Sequence, residues 1–221
     1  MFQERYRLLR RVRRSTMTSS SRHGDFSEVV RVLNKLEMES EEEKASNIAS
    51  LLKSVDENSV ESLLRILRMD FGEASRIVGT RLARRIVSEA VASITSRRQS
   101  EVEELLEKGS VDEALRRRSR ALTGESLTIS QAYSGMLEAC RISGKSSIGS
   151  KASKLASLLN KASDEEAAFI VSTLIQGGRR VSDGLLLKAL EKVFGKSLGN
   201  SIGSKDFYEK ARRLVKECKM E

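Results

Sequence analysis

The run Gly144-Lys145-Ser146, inside SGKSSIGSKASKLASLL (143–159), has the residue types of a phosphate cradle. Glycines let backbone N–H groups turn toward a ligand, hydroxyls donate, and lysine neutralises charge. A nucleotide loop demands more, namely Gly-x-x-x-x-Gly-Lys-Ser/Thr between a strand and a helix. Five residues before Gly144 stands Ala139, and the segment leading into the loop has helical periodicity. A nucleotide site is therefore disfavoured. What remains is a Gly/Ser loop, Gly144 to Ser147, opening a helix with Lys145 and Lys151 beside it. Free N–H groups at that helix start, hydroxyls and two ammonium groups could hold an oxyanion. A serine-capped helix with solvated lysines is the competing reading.

A second stretch repeats the design. In IQGGRRVSDGLLLKAL (175–190) an apolar segment ends at Gly177-Gly178, Arg179 and Arg180 follow, and Ser182-Asp183-Gly184 opens another helix. A phosphate in such a turn could be shared between guanidinium and backbone N–H groups. Two basic interhelical loops suit a clamp on a duplex backbone. The other basic runs, RLARR (81–85) and RRRSR (116–120), are ambiguous, because a charge run is usually a solvated face. Six Phe, three Tyr and no Trp are too few and too scattered for base-stacking platforms, which disfavours single-strand or RNA readout of that kind.

The elements that must position these loops are helices. No proline occurs, and the strand formers do not alternate. In FSEVVRVLNKLE the apolar residues Phe26, Val29, Val30, Leu33 and Leu36 form the stripe of an amphipathic helix. Ile148, Ala152, Leu155 and Leu159 repeat it, while AAFIVSTLI (167–175) is apolar nearly throughout and must be buried on most sides. Ser40…Glu43, Ser110…Glu113, Thr128…Gln131 and Ser163…Glu166 have capping-box spacing. These signals predict an all-α, multi-helix bundle of about ten to twelve short helices in two packed halves. They cover 26–37, 41–54, 58–68, 79–94, 100–107, 111–121, 129–142, 147–160, 164–176, 183–194 and 205–218. The halves are 25–123 and 124–195, and 196–221 reads as a loop and a final helix with Phe207, Ala211, Leu214 and Val215 on one face.

The formal charge of +9 and a pI near 9.7 point to a polyanion or to simple solubility. Residues 1–22 carry seven arginines against one glutamate, so much of the excess lies in that arm. Residues 1–24 have no stripe to bury and are expected to be disordered. They read as a nucleic-acid arm, as an organellar targeting segment, or as translated upstream sequence with the start at Met17. No apolar run is long enough to span a membrane, and no secretory h-region is present, so an intracellular place in cytoplasm or nucleoid, or a nucleus, is expected. Cys140, Cys218 and the lone His23 cannot assemble a zinc site, and no metal or other cofactor is expected.

From Phe26 to Gly195 the chain resembles the N-terminal helical DNA-binding domain of ATP-dependent DNA ligases of the archaeal and eukaryotic type. FSEVVRVLNKLE with SEEEKASNIASLLKSV resembles that domain's first helix pair, and VGTRLARRIVSEAV its glycine-led third section. LTISQAYSGMLEACRISGKSSIGSKASKLASLL resembles the segment with the Gly/Ser loop, and EEAAFIVSTLIQGGRRVSDGLLLKALEKVFG the arginine turn and following helix. The resemblance implies a domain that grips the minor groove on both sides of a nick, in DNA repair or replication. It implies backbone contacts at Gly144, Lys145, Ser147, Lys151, Arg179, Arg180, Ser182 and Gly184, with Ser146 in the same loop.

The chain departs from the family pattern in four places. Ser146 stands where a second glycine is usual and Ser172 where an arginine is common. A glycine is missing before Val181, and Gly109-Ser110 replaces a Gly-Asp pair. These differences imply weaker or altered DNA contact. Ligase chemistry also needs a lysine nucleophile in Lys-x-Asp-Gly. Asp183-Gly184 is the one Asp-Gly pair, and Val181 holds the lysine's place. No nucleotidyltransferase core follows before Glu221, so the expectation is a non-catalytic, sequence-independent double-stranded DNA-binding module. A separate ligase catalytic subunit or another repair protein would be its partner. The alternative is a degenerate or split-ligase interaction protein that docks on a partner through an exposed stripe at Phe207, Leu214 and Val215.

Overall fold

Side-chain caps fix where the helices begin. In the computed structural model, which describes residues 24–118, 126–141, 148–177, 181–195 and 206–220, Asp25 accepts from the Ser27 N–H at 3.0 Å and starts α1 (Phe26–Lys35). A 3-10 turn (Leu36–Met38) leads to α2 (Glu41–Ser54), opened by the capping box of Ser40 and Glu43. Asp56 caps α3 (Glu57–Arg68), which stops at Met69 in the left-handed region, φ 55°. After a 3-10 turn (Gly72–Arg76), Thr80 caps α4 (Arg81–Thr95), followed by α5 (Gln99–Glu107) and α6 (Val111–Leu115). The second half holds α7 (Ile129–Cys140), α8 (Ile148–Lys161), α9 (Asp164–Gln176) and α10 (Asp183–Phe194), then α11 (Phe207–Met220). The all-α prediction holds, with eleven α-helices and no strand among the described residues. The arm 1–23 and residues 196–205 lie outside them.

The stripes point where the periodicity requires. Phe26, Val29, Val30 and Leu33 are buried, as are Ala152, Leu155 and Leu159. Most of α9 is buried, including Phe169, Ile170, Val171 and Leu174. One core runs through both halves: α2 packs along α10, α4 along α8, and α1 against α9. The halves are also stitched by backbone, where Phe26 N–H donates to Leu127 O and Ile129 N–H to Gly24 O, both at 2.9 Å.

Three expectations need correction. The Ser110–Glu113 box does not form, because the Glu113 carboxylate pairs with Arg97 at 3.2 Å and Arg116 at 2.9 Å instead. The helix expected over 111–121 stops at Leu115. There Arg118 turns inward, its side chain 1% exposed, and bonds Leu159 O, Ala162 O and Asp164, so part of the RRRSR run is structural. The stripe offered to a partner is covered as well. Phe207, Ala211 and Val215 are buried and Leu214 is packed against the core, because α11 lies on α3.

Candidate nucleic-acid interface

The residues on both flanks of the arginine run between α9 and α10 are fixed by close packing. On one flank Gly177, φ 63°, meets Gly79, φ 78°, backbone to backbone. Gly79 N–H donates to Leu174 O at 2.9 Å, and a Cβ at Gly177 would lie 3.2 Å from Gly79 Cα. Only glycine combines a positive φ with so close an approach. On the other flank Val181 is fully buried, and Ser182, exposed, accepts from the Leu185 N–H at 3.2 Å to cap α10. Asp183 pairs with Arg68 at 3.2 Å, while Gly184 is exposed with open space where a Cβ would point. Arg179 and Arg180 themselves lie outside the described residues.

The Gly/Ser loop, Gly144, Lys145, Ser146 and Ser147, also lies outside them. Its flanks are α7 and α8, which form an antiparallel hairpin. Lys154 lies 3.6 Å from Glu138, and Gly135 sits under Leu158 so closely that a Cβ would fall 2.8 Å from a Leu158 methyl. Lys151, in the first turn of α8, is half-buried. Burial pushes the Cys140 thiol up to about 11 against the pull of the Lys151 ammonium. A buried thiol at that value is unreactive. Among the described residues no His, Cys, Asp or Glu group could hold a metal ion.

The element joining the flanks of the two loops is α4. The turn at Gly177 rests on the residue preceding its cap, and α8 lies along its length. Arg97, just past the end of α4, holds Glu113 on α6, and Arg118, just past α6, holds the end of α8 and the start of α9. The starts of α4 and α8 therefore face the end of the bundle where α9 finishes. Within RLARR, Arg84 pairs with Glu107 at 3.6 Å, whereas Arg81 and Arg85 are exposed with no ion pair to a described residue. The sequence marked this run as basic and left it ambiguous. What it lacked was the long-range contact of Gly79 with Gly177.

A different cluster closes the carboxyl end of α3. Arg68 Nη1 donates to the Tyr208 hydroxyl at 2.9 Å, and Arg65 bonds Glu61 at 2.9 Å and Asp70 at 3.4 Å. The Tyr208 hydroxyl donates to Asp70, and the Arg65 guanidinium lies 4.1 Å over the Tyr208 ring. Burial would raise the Asp70 carboxyl, but the Tyr208 hydroxyl, the Gly72 N–H and the two arginines outweigh it and hold it below the ordinary range. Burial and Asp70 together push the Tyr208 hydroxyl well above its ordinary value. These cations are spent within the protein.

The sequence model of the family described as DNA ligase N terminus matches residues 25–191. The chain belongs to that family. No curated protein matches it. The ligase N-terminal match runs from the cap of α1 into α10 and contains both glycine loops, whereas α11 lies beyond it. Membership gives the chain a ligase-related, DNA-associated role. No helix among the described residues is long and apolar enough to cross a membrane.

Proposed function

We propose that this ligase N-terminal domain binds double-stranded DNA by its sugar–phosphate backbone, without reading base sequence and without chemistry of its own. The observation that carries this reading is the Gly79–Gly177 clasp within the matched span. It fixes the backbone just before the run that holds Arg179 and Arg180, at the end of the bundle where α8 begins. Lys145, Lys151, Arg179 and Arg180 supply charge, while Gly144, Ser146, Ser147, Ser182 and Gly184 let amide and hydroxyl groups approach phosphate oxygens. The adenylating lysine and its strand-rich core belong to another protein or segment, because buried Val181 stands where the motif needs that lysine. Docking through α11 loses its support, since α3 covers the face that would dock.

The test is duplex binding by anisotropy across a salt series. The log–log slope should be about −0.9 per phosphate engaged, so four phosphates would give about fiftyfold weakening on tripling the salt. Lys151→Ala with Arg179→Ala should reduce both affinity and slope. Unchanged values would remove these loops from the site. Incubation with labelled ATP should leave no covalent adenylate on the protein.

A further inference from the structure

Three exposed side chains at the start of α4 have no hydrogen-bond or ion-pair partner among the described residues. Arg81 and Arg85 are one helical turn apart, so they share a face, and Leu82 lies beside both. Leu82 is 39% exposed, and among the described residues the other large apolar side chain left to solvent is Met38. A lone exposed leucine means little by itself. This one flanks Arg81 and Arg85 on the same exposed arc of the helix, three residues past Gly79, which touches the base of the arginine turn. Arg84, on the same helix, pairs with Glu107 at 3.6 Å, whereas Arg81 and Arg85 have no ion pair to a described residue.

We infer that Arg81, Leu82 and Arg85 form a third contact of the DNA surface, with the guanidiniums on phosphates and the leucine against deoxyribose in the minor groove. The inference rests on the duplex-binding reading above and extends it to a helix face. The chemistry separates cleanly. Phosphate rails flank a groove lined by sugar C–H surfaces, so a face with cations along one side and an apolar group beside them matches a rail and the groove next to it. A patch serving only solubility would gain nothing from an exposed leucine beside its cations. The two kinds of contact also differ in salt dependence: guanidinium–phosphate contacts release counterions, and apolar contact with sugar releases none.

The experiment uses the full chain and a double-stranded oligonucleotide over a salt series. Arg81→Gln with Arg85→Gln should weaken binding on the order of tenfold at low salt and make the slope shallower by about 1.8, two phosphates' worth. Leu82→Ala should weaken binding about fivefold at every salt concentration with the slope unchanged. All three positions are on the surface, so the denaturation midpoints should match the parent, which separates lost contact from lost fold. If Lys151→Ala with Arg179→Ala weakens binding while these variants match the parent, the surface ends at the arginine turn and the inference alone is overturned. If the parent shows no salt-dependent duplex binding, both readings fall together.

Discussion

Arginines crowd two places in this protein, and they do opposite work. At the α3–α11 corner Arg65 and Arg68 are half-buried, each bonded to carboxylates and facing aromatic rings. At the start of α4, Arg81 and Arg85 stand in solvent with no ion pair to a described residue. Composition cannot tell these groups apart. A guanidinium satisfied on several sides holds helices together and has nothing left for a ligand, whereas one held out by a rigid helix with its charge uncompensated is available to a polyanion.

The largest effect should come from breaking the corner. Arg68 is 11% exposed and bonds both Asp183 and Tyr208. Arg68→Ala leaves a carboxylate and a hydroxyl without that partner and should cost about 3 kcal/mol of stability, measured by urea denaturation. Because Asp183 opens α10 directly after the arginine turn, duplex affinity should fall too, although Arg68 touches no DNA in this reading. Arg68→Lys keeps the charge and loses the two-sided geometry, so it should recover only part of the loss. A variant of unchanged stability would mean that the corner is decorative.

Next in size is the clasp. Gly177→Ala places a Cβ 3.2 Å from Gly79 Cα in a residue at φ 63°, and should cost about 1–3 kcal/mol. Its mark should be a loss of duplex affinity per folded molecule, since the shift lands at the base of the arginine turn. Asp70 supplies the pH counterpart. Its folded carboxyl is held below the ordinary value, so the stability it contributes is present above about 3.9 and is lost as pH falls through the lowered value. Asp70→Asn should flatten that acid limb in thermal melts between about pH 5 and pH 2. A limb of unchanged steepness would assign the acid sensitivity to other carboxylates.

Helix positions were legible because their determinants are local. Stripes and caps such as Ser40–Glu43, Thr128–Gln131 and Ser163–Glu166 lie within one or two turns, and the structure reproduces them. Ser110–Glu113 was misread because Arg97, far along the chain, competes for the same carboxylate. The fate of the basic runs was not legible for the same reason. Arg118 turns inward to reach carbonyls at the end of α8, and Arg84 finds Glu107 across a helix pair. The apolar face of α11 was read correctly as a face and wrongly as exposed, because its cover, α3, is distant in sequence. Lys151, Ser182 and Gly184 were singled out from the Gly/Ser loop, the arginine turn and the family resemblance, and they lie at the starts of α8 and α10. The part α4 plays between the two loops needed the Gly79–Gly177 contact, which no window of sequence contains.

The smallest effect is the most discriminating, because it lies inside one five-residue run. Arg84 and Arg85 are adjacent on α4, yet Arg84 pairs with Glu107 at 3.6 Å while Arg85 has no such partner among the described residues. The Arg84 pair is solvent-exposed on both sides, and such pairs contribute roughly 0–1 kcal/mol. Arg84→Gln should therefore shift the denaturation midpoint barely at all. It should also leave the salt slope of duplex binding where it was, because the Arg84 guanidinium is turned to Glu107 and is not placed on a phosphate. If Arg84→Gln lowered the slope as much as Arg85→Gln does, the run would act as a diffuse positive field and pairing would not decide which arginine meets the phosphate. Equal slopes for parent and Arg84→Gln, beside a shallower one for Arg85→Gln, would place the boundary between structural and ligand-facing cations within a single helical turn.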